Sequence, residues 1–220
     1  MGGSRRILDF NRELLPNKFV ADRDSGHAGL SEARKVVGYT IGYPAWNLLY
    51  YSLMCSLPYE PHDGIANVIE TGTNFGSSTI IMAQCLKDMK YISKVHTVDI
   101  KPAVAEIAAD NFKKSGVNEY IQPYVGDSLE FLKKYVKTVD CIHFAFLDSA
   151  HTFENITQEF ELIVKKVRKC NGKVYFDNTI RGGVKEGLVE IKKLYGGNMI
   201  EFRNCSSGPP GNVIWQPDWN

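Results

Sequence analysis

From residue 67 to residue 195 short apolar runs alternate with amphipathic stretches, and this alternation constrains the fold more than any other property of the chain. The runs at 67–71, 94–99, 121–125, 140–148 and 172–177 read as strands, and the segments at 77–90, 102–115, 128–136, 153–169 and 183–195 read as helices. Strands that take turns with helices predict a parallel sheet covered on both faces, because a parallel connection needs a crossover long enough to hold a helix. Cys141-Ile-His-Phe-Ala-Phe-Leu147 is almost unbroken in its apolar character, as suits a strand buried on both sides. Two further runs, 199–203 and 212–216, are joined through Ser-Ser-Gly-Pro-Pro-Gly without a helix, which predicts an antiparallel pair at one edge. The expected fold class is α/β: a doubly wound, seven-stranded, mostly parallel sheet with an antiparallel edge strand.

Residues 1–63 read as an N-terminal helical and loop extension, and 64–220 as the main domain. Within the extension, 1–38 is mixed and polar, with Asp22, Arg23, Asp24 and Gly26 in a loop, while 44–57 predicts a helix that opens on Pro44 and is stopped by Pro58 and Pro61. A chain of 220 residues with 44% hydrophobic content can build one full core, and two domains would be cramped. The formal net charge of +1 supplies no global field for nucleic acid or an anionic membrane. No apolar run reaches the roughly 18 residues needed to span a bilayer, and Met1 to Arg6 leads into no hydrophobic signal segment. The five cysteines, at 55, 85, 141, 170 and 205, are scattered and form no Cys-x-x-Cys pair. That pattern argues against a disulfide framework or a zinc site, and a cytoplasmic location is expected.

Residues 68–79, Val-Ile-Glu-Thr-Gly-Thr-Asn-Phe-Gly-Ser-Ser-Thr, are a strand ending in an acid, a tight turn and a helix start. Gly72 and Gly76 permit positive φ and close backbone approach, and the first amides of the helix suit an anion or carboxylate. A phosphate-binding loop would end in Gly-Lys-Ser/Thr, and a dinucleotide turn would have glycine where Asn74 stands. What remains, Glu70-x-Gly72-x-x-x-Gly76-x-Ser78, resembles motif I of the class I S-adenosylmethionine-dependent methyltransferases. The resemblance covers about residues 64–217 and implies the Rossmann-like fold of that family. Asp99 closes the second strand, where an acid can accept bonds from ribose hydroxyls, although it equally suits a cap for the helix from Pro102. By the same resemblance Glu70 and Asp99 hold the ribose and amino-acid parts of the cofactor, the turn from Gly72 to Gly76 its carboxylate end, and the loop of Asp127 and Ser128 its adenine, with Ser78 also among the cofactor-binding residues. Asp127 and Ser128 are also good helix caps.

Asp148 ends the fourth strand, and Asp177-Asn178 ends the fifth. Carboxyl ends of strands face the ligand crevice of a doubly wound sheet, so all three should look toward the glycine turn. Two carboxylates and an amide oxygen are a hard oxygen set suited to Mg²⁺, while turn formation is what Asp and Asn do after most strands. The pattern resembles the cation-dependent O-methyltransferases of the catechol and caffeoyl-coenzyme A type, which implies a metal role for Asp148, Asp177 and Asn178. Where those enzymes place a lysine three residues on, this chain has His151, a departure shared with bacterial antibiotic-modifying enzymes of the macrocin and cephalosporin-hydroxylase-like group. Histidine titrates near neutral pH and suits a general base; packing against the next helix is its plainer role. His143, inside an apolar strand, reads as a core histidine, and His27, His62 and His96 carry no partner pattern.

These features lead to an expectation of Mg-dependent methyl transfer from S-adenosylmethionine to a hydroxyl of a small molecule, with Asp148 and His151 as the catalytic pair. A metal-independent methyltransferase, a non-catalytic S-adenosylmethionine-binding protein and a Rossmann-type oxidoreductase stay open. The aromatic residues of 39–46 suit a core, a homodimer interface or a substrate wall, and Arg181 suits an acidic acceptor group or a solvated loop.

Overall fold

A computed structural model describes residues 16–20, 45–58, 65–202 and 211–218. The segment 39–44, the loop at 22–26, His27, His62 and Cys205 lie outside the described residues. Strand β1 (Val68–Thr71) pairs in parallel with β2 (Val95–Asp99) on one side and β4 (Phe144–Leu147) on the other. Beyond them, β2 pairs with β3 (Ile121–Val125) and β4 with β5 (Lys173–Phe176), again in parallel. The sheet closes with β6 (Asn198–Phe202) and β7 (Asn212–Gln216), in the order β3-β2-β1-β4-β5-β7-β6. The antiparallel pair stands at one edge as expected, and the reversed strand β7 is its inner member, antiparallel to both β5 and β6.

Alternation of side chains along the central strands sorts the core into two layers. Val68, Phe144, Phe146 and Tyr175 face one layer, formed with α1 (Ala45–Met54), α2 (Ser77–Asp88) and α3 (Pro102–Ser115). Ile69, Ala145, Leu147, Val174 and Phe176 face the other, with α4 (Ser128–Tyr135), α5 (Phe153–Lys169) and α6 (Gly182–Tyr195). Helix α1, from the segment expected to be an extension, is part of the first layer: Trp46, Leu49 and Leu53 are buried there, and Tyr50 donates to Asp88 Oδ2 at 2.8 Å. No helix among the described residues is long and apolar enough to cross a membrane.

Local signals explain most element limits. Pro102 opens α3, and Gly116, with φ 74°, ends it. Asp127 and Thr152 cap α4 and α5 by accepting the amides of Glu130 and Asn155. One limit departs from expectation: the fourth strand starts at Phe144, four residues later than its apolar run. Ile142 N–H turns off the sheet to Lys166 O at 3.1 Å, and His143 N–H shares the Asn67 carbonyl with Phe144 N–H, at 3.0 and 3.4 Å, so regular pairing with β1 begins only at Phe144.

Candidate active site

The strand order reverses about β1, and the carboxyl ends of β1, β2, β4 and β5 surround that point. Glu70 is fully buried beneath the turn. Its Oε1 accepts the Ser78 hydroxyl at 2.5 Å, and its Oε2 accepts the hydroxyls of Thr97, at 2.5 Å, and Thr79. Burial pushes its carboxyl up to about 7 against the pull of those three donors. Glu70 and Ser78 therefore bond to each other and pin the start of α2 to β1 and β2, rather than opening toward a ligand.

The two glycines likewise answer to the protein. At Gly72, φ is +91°, and a Cβ would stand 2.1 Å from the Asp148 carbonyl oxygen; at Gly76, φ is +82°, and a Cβ would strike the Phe112 ring at 2.3 Å. Their missing side chains make room for the main chain after β4 and for α3. Gly76 is the N-cap of α2, and its carbonyl accepts Ile80 N–H at 2.9 Å. Asp99 stands beside it, accepting Asn74 N–H at 2.8 Å on Oδ2 and Lys101 N–H at 2.9 Å on Oδ1. Gly126 N–H bonds to the Asp99 carbonyl at 2.9 Å and brings the third loop alongside. In that loop Asp127 is exposed and caps α4, while the Ser128 hydroxyl serves Glu159.

Asp148, His151, Asp177 and Asn178, read from separate strand ends, are brought into one hydrogen-bonded group. His151 Nε2 lies 3.1 Å from Asp148 Oδ1, and Asn178 Nδ2 bridges Asp148 Oδ1 at 2.9 Å and Asp177 Oδ2 at 3.3 Å. Asn178 holds this place with a left-handed φ of 57°. Asp177 is buried and accepts Asn212 Nδ2 at 2.5 Å; burial and the nearby Asp148 carboxylate push it up to about 8. Two carboxylates around one donor position are a set that a hard cation fits, since a cation would offset their repulsion and the Asn178 amide can turn its oxygen to the same point. Arg181 Nη1 lies 3.4 Å from His151 Nδ1. A guanidinium only donates and a carboxylate accepts, so the neutral ring carries its proton on Nε2 and its lone pair on Nδ1.

Several residues of this region escape sequence reasoning. Glu159, fully buried on α5, accepts Thr71 Oγ1 at 3.1 Å and Ser149 Oγ at 2.7 Å, tying β1 to the loop that carries His151; burial raises its pKa. Its signal was an acid on the buried stripe of Ile156, Phe160 and Ile163. Asn212 and Thr97 had no such signal, because their partners are supplied by other strands.

Residues 69–179, half of the chain, match the family described as "Methyltransferase domain". An O-methyltransferase of Aspergillus flavus is 27% identical over 137 residues, 61% of this chain and 51% of that protein. A protein of Arabidopsis thaliana named as a caffeoyl-CoA O-methyltransferase is 29% identical over 140 residues, 62% of this chain and 58% of that one. The chain thus spans between half and three fifths of the length of these relatives. Among solved structures, the O-methyltransferase from Bacillus cereus in complex with SAH has a TM-score of 0.71 at 18% identity, covering 96% of this chain and 94% of that one. The O-methyltransferase TomG from Streptomyces achromogenes, in complex with SAM, has a TM-score of 0.69 at 18% identity, covering 92% and 91%. With a matched segment that runs from inside β1 to the residue after Asn178, the chain belongs to the methyltransferase domain family.

Proposed function

We propose that this chain transfers the methyl group of S-adenosylmethionine to a hydroxyl oxygen of a small molecule, with a divalent cation such as Mg²⁺ held by Asp148, Asp177 and Asn178 and with His151 as general base. The observation that carries the reading is the convergence of those four side chains at the strand ends beside the N-terminus of α2. The O-methyltransferase names of the relatives support the reaction class. Asp99 and the loop 126–128 would receive the ribose and adenine, and the turn at 72–76 the carboxylate.

In the reaction a lone pair of the acceptor oxygen forms the new C–O bond as the methyl carbon leaves sulfur, so the protein must hold the two in line. A bound cation supplies charge stabilisation to the acceptor oxygen and lowers its pKa. His151 takes the released proton on Nδ1 once Arg181 yields that face, and Asp148 holds the ring in the required tautomer and steadies the imidazolium. Release of S-adenosylhomocysteine, measured across catechols, sugars and other hydroxy compounds with and without Mg²⁺, tests the proposal. Excess EDTA and Asp177→Ala should each abolish turnover while calorimetry still detects S-adenosylmethionine binding; undiminished turnover in both would remove the cation from the mechanism.

A further inference from the structure

At the opposite pole of the sheet, where β4 and β5 begin, Cys141, His143 and Cys170 converge, with one nitrogen or sulfur atom of each lying within 4.8 Å of the others. Asn67 fixes two of them, its backbone N–H donating to His143 Nδ1 at 3.0 Å and its side-chain amide to the Cys141 carbonyl at 2.9 Å. Cys170 arrives at the end of α5, and Lys173 N–H bonds to His143 O at 3.1 Å. Gly172 allows this closeness: a Cβ there would stand 2.2 Å from the Ile142 carbonyl oxygen. The two cysteine-bearing segments are therefore in main-chain contact.

The histidine tautomer separates the two chemistries that such a cluster suggests. Nδ1 of His143 receives an N–H, so the neutral ring carries its proton on Nε2, and burial favours the neutral ring. Ligation of a metal through Nε2 would require stripping that proton. Instead, Nε2–H faces Cys141 Sγ at 4.0 Å and has that sulfur as its acceptor. Cys170 differs: burial, then the neighbouring Cys141, raise its thiol, which lies 3.9 Å from the Lys166 carbonyl. Both sulfurs belong to partly exposed residues.

We propose that Cys141 and Cys170 are a redox-active dithiol, oxidised by a low-molecular-weight disulfide such as glutathione disulfide to an intramolecular cross-link, with His143 as the residue that positions and polarises Cys141. The Cys141 thiolate attacks one sulfur of glutathione disulfide, forming a mixed disulfide and expelling one glutathione thiolate. Cys170, after losing its proton to solvent, attacks Cys141 Sγ and expels the second. Two protein thiols are oxidised to one disulfide, and one glutathione disulfide is reduced to two thiols. The loop so closed contains Asp148 and His151, so the modification falls on the β4–α5 unit that presents them.

The native protein, equilibrated in glutathione buffers of graded ratio, acid-quenched, alkylated and mapped by mass spectrometry, tests the assignment. Oxidising ratios should remove alkylation from Cys141 and Cys170 together and yield one linked peptide pair, which dithiothreitol reverses. Cys170→Ser should stop at a glutathione adduct on Cys141, and His143→Gln should slow that first step and move its pH profile upward. Persistent alkylation of both thiols at every ratio, or linkage through Cys55, Cys85 or Cys205, would overturn the dithiol. Stoichiometric zinc binding that His143→Gln abolishes would overturn the donor role of His143. The mapping of the unaltered protein decides the main point even if a variant fails to fold.

Discussion

Glu70 has a charge problem that its neighbours only partly relieve. Its carboxyl ionises near 4.5 in an unfolded chain but only at about 7 in the fold, so between these values the native state holds a proton that the unfolded state has lost. Stability must then fall as pH rises through that window, by on the order of 3 kcal/mol at about 1.4 kcal/mol for each pH unit of displacement. Glu70→Gln keeps an acceptor oxygen and removes the titration. Its urea midpoint should change less than that of the parent between about pH 5 and about pH 7.5, and an equal change would place the titration on another group. His151, proposed as the general base, belongs to a different balance, since it is partly exposed and little of the core rests on it. His151→Ala should lower turnover by roughly 10² to 10⁴ and leave the calorimetric affinity for S-adenosylmethionine near the parent value; equal losses of both would assign it a structural role.

Elements meet the site through close contacts that single glycines permit. Gly72→Ala forces a left-handed φ on alanine, about 1 to 2 kcal/mol, and also drives a methyl into the main chain of Asp148. Gly116 has a φ of +74° but open space around its Cβ position, so Gly116→Ala should cost only the first part. Thermal melts of the two variants should differ in that order, and only Gly72→Ala should reduce turnover of the folded protein. Helices 102–115 and 153–169 and strands 121–125 and 212–216 are legible to their limits, because proline, glycine, caps and turns mark them locally. The start of β4 is not, since the Cys141 to His143 run reads on as strand, while Ile142 turns to Lys166 and the Asn67 side chain takes the Cys141 carbonyl. Placement of Asp148, Asp177 and Asn178 at strand ends was legible for the same local reason. What each acid bonds to was not: Thr97 reaches Glu70 through the β1–β2 register, and Asn212 reaches Asp177 only through the position of β7.

At the scale of the whole molecule, the sheet cannot be assembled in the order in which its strands occur. β7 fits between β5 and β6, so the slot at the edge must stay open until residues 212–216 enter it. That entry buries Trp215 against Phe160 at a centroid distance of 4.9 Å and brings Asn212 to Asp177. Contacts this remote in sequence form slowly. In refolding of a protein carrying Trp46→Phe and Trp219→Phe, the fluorescence change of Trp215 should coincide with the slowest phase; a change that precedes most of the far-ultraviolet circular dichroism would contradict this order. Asp177 then acquires its partner as the sheet closes, which makes formation of the acid cluster a late checkpoint of folding: until the slot is filled, a chain with most of its core in place would still have an incompletely paired acid where the cation is proposed to bind.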